Sequence, residues 1–132
     1  MIRSLLASLA LALPVAAQAV HLPSFAAPQF QGKTEAGPHG DFVHQFDWIV
    51  GQLLNRLETL GIADNTLVIV TSDNGPEVTS VVHMRQDFHH DPARPWRGMK
   101  RDAWEGGHRV PFLVRWPASG NGETPEIGRA HV

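Results

Sequence analysis

The sequence predicts an α/β fold with a largely parallel sheet, and three segments carry that prediction. Apolar residues recur at helical spacing from Asp41 to Leu60, the run Leu67 to Val70 is continuously apolar, and a second such run spans Val110 to Trp116, interrupted by Pro111 and Arg115. A helix, a buried strand and another strand after a connection is the order produced when helices cover the faces of a parallel sheet.

The elements follow in chain order. Residues 1–19, "MIRSLLASLALALPVAAQA", open with a positive Arg3, continue through an apolar run from Ser4 to Leu13 too short to span a bilayer, and end in the small-x-small triplet Ala17-Gln18-Ala19. That is the pattern of a secretory signal peptide cleaved after Ala19, leaving an exported chain without a membrane anchor. Val20 to Pro38 is rich in Pro, Ala and Gly with no helical period, and is expected to be an extended surface segment. Asp41 is the expected N-cap of the helix, whose stripe is Phe42, Phe46, Ile49, Val50, Leu53, Leu57 and Leu60, and Gly61 is its expected stop. After a turn at Ala63-Asp64-Asn65, the Leu67–Val70 run reads as a strand buried on both faces. Gly75 to Arg109 is long, polar and aperiodic, and irregular segments of that length in compact domains usually carry function.

Composition narrows the partners. The 132 residues carry a formal net charge of −2 and 42% hydrophobic content, as in one ordinary globular domain, and no basic face calls for a nucleic acid. The chain has no cysteine, which excludes a disulfide framework and a thiolate metal site.

The chemistry concentrates where the first strand ends, at Ser72-Asp73-Asn74-Gly75-Pro76. Ligands of open α/β sheets bind beyond the carboxyl ends of strands. A carboxylate beside an amide oxygen is a hard-cation donor pair, suited to calcium or magnesium, and Gly75-Pro76 turns the chain so that both side chains can face one point. The same residues alone also satisfy a simple Asx-turn. Elsewhere, His83, His89 and His90 read as solvated loop histidines more than as ligands, and His44 and Asp47 stand three apart on the helix. Glu105 and Arg109 flank Gly106-Gly107 and are expected to brace the loop before the second strand, and Trp96 beside Arg97 is a candidate pocket border.

Taken together, "GDFVHQFDWIVGQLLNRLETLGIADNTLVIVTSDNG" (residues 40–75), "RGMKRDAWEGGHRVPFLVRWP" (97–117) and "VHLPSFAAPQFQGK" (20–33) resemble the C-terminal part of the catalytic domain of the sulfatase family, particularly the arylsulfatases. The resemblance covers about residues 20–117. It implies an alkaline-phosphatase-like α/β/α sandwich, here incomplete, and metal-dependent hydrolysis of small-molecule or glycan sulfate esters, with a divalent cation, usually calcium, on the sulfate oxygens. It also implies a formylglycine nucleophile made from a Cys or Ser in Cys/Ser-x-Pro-x-Arg. By the same resemblance Asp73 and Asn74 are metal ligands. Lys100 matches the lysine that touches sulfate, and His21 matches the histidine of a His-x-Pro segment that faces sulfate and assists proton transfer.

The departures are equally definite. Neither Cys nor Ser-x-Pro-x-Arg occurs, and the paired aspartates of the family's first strand are missing. Residues 20–126 are therefore expected to form part of a sulfatase domain. Phosphate or phosphonate ester hydrolysis and a catalytically inactive remnant are the alternatives. Ile127 to Val132, "IGRAHV", matches the translation of a common sequencing adapter and is expected to be a non-native read-through tail.

Overall fold

A computed structural model describes residues 25–116. The expected signal peptide, His21 and the expected tail lie outside the described residues. The elements are a 3-10 turn at Pro28–Phe30, helix α1 at Gly37–Thr59, a 3-10 turn at Ala63–Asn65, strand β1 at Val68–Thr71, helix α2 at Val78–Asp87, a single helical turn α3 at Glu105–His108 and strand β2 at Phe112–Arg115.

Helix α1 begins four residues before the expected N-cap, at Gly37-Pro38, where proline's fixed φ suits the first turn. Asp41 lies inside the helix and caps a different segment. Its Oδ2 accepts from the Gly32 amide at 2.7 Å. Its Oδ1 accepts from the amides of Lys33 (3.0 Å) and Thr34 (2.8 Å) and from the Thr34 hydroxyl (3.1 Å). Burial alone would raise the Asp41 carboxyl, but these four donors outweigh it and hold it below its ordinary value. The residues before α1 are thus knotted onto the helix instead of lying extended on the surface. Phe30 and Ala26 are buried, and the Phe30 ring meets His44 and Trp48 at centroid distances of 6.0 and 5.3 Å.

The expected stripe of α1 has the right period but is half-buried, with Leu60 exposed. Gly61 ends the helix as expected, at φ +68. Its amide donates to Glu58 O at 2.9 Å and the Ile62 amide to Leu57 O at 3.1 Å, the paired bonds of a Schellman closure.

The two strands pair antiparallel, with Val68 opposite Arg115 and Thr71 opposite Phe112. This corrects the expected parallel sheet for the described residues. The chain that leaves β1 is pinned where it left: the Gly75 amide donates to Gly107 O at 2.8 Å, which returns the chain to the end of β1, and β2 runs back along it from Phe112. Burial on both faces is not found either, because Leu67 and Ile69 are 49% and 50% exposed.

The polar connection contains a helix that periodicity does not reveal. Helix α2 starts at the Glu77 N-cap and buries Ser80, Val81 and Met84, with Val81 at 0% exposure. Its β-branched, polar sequence has low intrinsic helix preference, so tertiary packing decides it. Val81 and Met84 join Ala26, Phe30, Ala63 and Ala93 in a small core.

Two expectations follow. A sheet of two strands with exposed apolar side chains falls short of the three strands that independent stability usually needs. The isolated chain should therefore unfold over a broad thermal range with weak near-ultraviolet dichroism, and a sharp cooperative transition would contradict this. The Asp41 knot closes loops of only seven to nine residues and should persist locally. Asp41→Asn should raise amide exchange at Lys33 and Thr34 by roughly tenfold or more, since hydrogen bonds to a charged group contribute about 1.5–3 kcal/mol. Because the folded carboxyl is depressed, its contribution is complete above its ordinary value of 3.8 and is lost as pH falls through the lower folded value. Exchange rates corrected for intrinsic pH dependence across that window should show the loss.

Candidate functional site

Strand β1 delivers the turn that carries Asp73 and Asn74. The Ser72 hydroxyl donates to Asn74 O at 3.0 Å, and Asn74 Nδ2 donates to Gly75 O at 2.8 Å, which commits the amide nitrogen to the turn and leaves Oδ1 as its outward acceptor. Asp73 is exposed. Among the described residues its carboxylate makes no hydrogen bond or ion pair, whereas Asp41, Glu77 and Asp91 are each held by several donors.

A contact between glycines joins this turn to the Lys100 loop. A Cβ on Gly75 would stand 1.8 Å from Gly106 O, and one on Gly106 would stand 2.2 Å from Gly98 O. No side chain fits at either position, and the backbone uses the space. Gly75 bonds to Gly107 O, and the Gly106 amide donates to Arg97 O at 2.8 Å. The Lys100 amide donates to Pro76 O at 3.0 Å. Lys100 is thereby fixed to the residue two places beyond Asn74, although 24 positions separate Lys100 from Pro76 in sequence. Two of the sequence-derived site elements, the acid-amide turn and the lysine, are thus in one place.

Glu77, which the sequence analysis did not single out, joins the acid-amide turn to the Lys100 loop through its side chain. Its Oε1 accepts from Arg101 Nη1 at 2.9 Å and from the Val78 amide at 3.1 Å, and its Oε2 faces Lys100 Nζ at 3.6 Å. The Arg101 hydrogen bond, with the charges of Arg101 and Lys100 and the Val78 amide, outweighs partial burial and holds the Glu77 carboxyl below its ordinary value. The available signal was an acid two residues beyond the SDNG turn and a pair of consecutive cations, Lys100-Arg101, in need of one.

The surrounding loop is braced by cations on rings. The Arg97 guanidinium lies 3.8 Å from the Trp104 ring centroid and that of Arg109 lies 3.9 Å from Trp96. Arg109 also pairs with Glu105 at 3.3 Å, so both residues brace the approach to β2 as expected. Trp96 supports Arg109, and nothing in its contacts marks an ester pocket.

The histidines go elsewhere. His83 pairs with Asp87 at 3.1 Å, and His44 rests on Phe30 without pairing to Asp47. His89 and His90 line an open groove with Arg85, Asp91 and Arg94, where both arginines are tied to Asp91 at 3.0 and 3.3 Å. Among the described residues no group of three or more His, Cys, Asp or Glu is gathered for a metal. The fit to a calcium-like ion is therefore right in kind and partial in number: the turn offers one carboxylate and one amide oxygen, against the six to eight oxygens such an ion takes.

Comparison with known proteins accords with this arrangement. The family model described as Sulfatase matches residues 13–126. The chain is 44% identical over 105 residues to N-acetylgalactosamine-6-O-sulfatase of Bacteroides thetaiotaomicron, covering 76% of this chain and 20% of that protein. It is 47% identical over 98 residues to steryl-sulfatase of Rattus norvegicus, covering 74% of this chain and 17% of the relative. With human arylsulfatase D it is 34% identical over 103 residues, covering 74% of this chain and 16% of the relative. The chain spans a fifth or less of the length of these curated relatives. A match over most of the chain, with the SDNG turn and the Lys100 loop within it, places this protein in the sulfatase family.

Proposed function

We infer that this chain supplies one side of the catalytic centre of an exported sulfuric ester hydrolase: half of a divalent-cation site, from Asp73 and Asn74, and a sulfate-facing cation, from Lys100. The observation that carries the reading is the backbone joint between the acid-amide turn and the Lys100 loop, which brings the stretch bearing an uncommitted carboxylate beside the stretch bearing a half-buried lysine. Two strands and their helices would form part of an alkaline-phosphatase-like α/β/α sandwich. Residues 1–19 would direct export, and no helix among the described residues is long and apolar enough to cross a membrane.

Asp73 and Asn74 would hold calcium. When bound, that ion would supply positive charge to the sulfate oxygens, a Lewis-acid contribution independent of proton transfer. Lys100 would act on the same group from a second direction, as a compact point charge with three donors that stabilises negative charge developing on the transferring sulfuryl oxygens. His21 would serve proton transfer close to neutral pH. The nucleophile must come from a residue outside this set, because the chain has no cysteine from which a formylglycine could be made and no Ser-x-Pro-x-Arg. The substrate class is an organic sulfate ester, small or carried on a glycan.

Two expectations test this. The 132-residue chain by itself should not hydrolyse nitrophenyl sulfate above a Lys100→Ala control, and measured turnover would overturn the covalent reading. In the complete enzyme containing this segment, Asp73→Asn should weaken calcium binding by roughly tenfold or more, because it removes charge from the ion's donor set. Lys100→Ala should leave calcium binding nearly unchanged and remove about 2 to 4 kcal/mol of transition-state stabilisation, comparable to losing one oxyanion donor. Calorimetric calcium titration beside steady-state kinetics separates the two roles. Unchanged calcium affinity in Asp73→Asn would reduce the acid-amide pair to a turn.

A further inference from the structure

Lys100 and Arg101 are consecutive cations sharing a single carboxylate, and the sharing is unequal. Arg101 Nη1 sits 2.9 Å from Glu77 Oε1, a full hydrogen bond, and the Val78 amide occupies the same oxygen at 3.1 Å. Lys100 Nζ stands 3.6 Å from Oε2, close enough for charge attraction and beyond hydrogen-bond length. One negative charge therefore faces two positive ones, and the shorter contact belongs to Arg101. The exposures run the same way. The Arg101 side chain is 68% exposed, whereas those of Lys100 and Glu77 are 18% and 12% exposed. Arg101 reaches Glu77 from a left-handed backbone, φ +78, which a residue other than glycine seldom adopts. Lys100 is registered twice on one loop, by its amide on Pro76 O and by its ammonium beside Glu77.

We propose that Glu77 is a positioning residue for Lys100: Arg101 occupies one carboxylate oxygen so that the other aims the lysine ammonium without consuming its donors. The inference rests on the reading of Lys100 as the sulfate-facing cation. A flexible four-carbon stem would otherwise spread its charge over many rotamers, with side-chain entropy to lose on binding. The 3.6 Å separation confines the ammonium while leaving its three N–H groups available to an anionic ligand. The acid that aims Lys100 is also the N-cap of α2 and stands three residues beyond Asn74, so metal donors and sulfate donor are set by one loop.

A double-mutant cycle in the complete calcium-loaded enzyme, assayed with nitrophenyl sulfate, tests this. Glu77→Gln keeps an acceptor for the Val78 amide and removes the charge. It should lower kcat/KM by about tenfold, within the range expected for one charged contact. Placed on Lys100→Ala it should cost less than about twofold more, because the effect runs through Lys100. Calcium affinity should hold throughout. Arg101→Ala, at an exposed position, should draw Lys100 onto Glu77 and raise KM by roughly threefold or more, again through loss of a charged contact, and it decides the matter if Glu77→Gln does not fold. Parent-like kinetics in Glu77→Gln or Arg101→Ala, or a Glu77→Gln loss that multiplies undiminished on Lys100→Ala, would overturn the positioning role. Parent-like activity in Lys100→Ala would instead overturn the sulfate-facing role of that lysine, and the positioning role with it.

Discussion

The structure depends on a contact that only glycine permits. Where the chain leaves β1, Gly75 lies against the backbone of Gly106 and Gly107 with no room for a Cβ, and its amide closes a 2.8 Å bond to Gly107 O. The close approach of Gly106 to Gly98 extends the same packing to the Lys100 loop. From this joint follow the antiparallel return of β2, the registration of Lys100 on Pro76 and the placement of Glu77 between two cations. Backbone-to-backbone packing is stiffer than side-chain packing because it has no rotamers to relax through. The residues it carries thus inherit a fixed spacing, and precise spacing is the main requirement of a site that acts by electrostatics.

The carboxylates divide the work around that joint. Asp41 ties the segment before α1 onto the helix. Asp91 gathers Arg85, Arg94 and the Ala93 amide below α2, and those contacts outweigh the burial that would raise its carboxyl. Glu77 takes Arg101 and Lys100. In each of these three the donors hold the carboxyl below its ordinary value. Asp73 has no such partner among the described residues, and its carboxylate is exposed. The apolar side chains of the sheet tell a similar story on the packing side. Ile69 and Phe112 remain 50% and 41% exposed, which suits a segment that spans a fifth or less of the length of its relatives.

Several elements were legible in the sequence because local physics decides them. The α1 stripe, its Schellman stop at Gly61 and the strand before Ser72 rest on periodicity, on a left-handed glycine and on a β-branched run, all of which operate within a few residues. The start of α1 was displaced because a carboxylate at Asp41 suits an N-cap and equally suits a loop folded back on the helix, and only the fold shows which donors reach it. Helix α2 was hidden because Val78, Thr79, Val81 and Val82 favour strands in isolation, and burial of Val81 and Met84 overrides that preference.

By itself the sequence determined the chemistry on offer: a hard-oxygen pair at Asp73-Asn74, a lysine in a glycine-rich loop, no thiol, and the family to which these belong. Residue types and short-range order are written in the chain directly, so chemistry and family can be read there. Tertiary structure alone decided the direction of β2, the meeting of Lys100 with the turn that holds Asp73, and the contacts of Glu77 with Lys100 and Arg101. Each of these is a contact between residues more than twenty positions apart. Its existence depends on where intervening backbone fits against backbone, and no pattern of side chains along the chain encodes that fit.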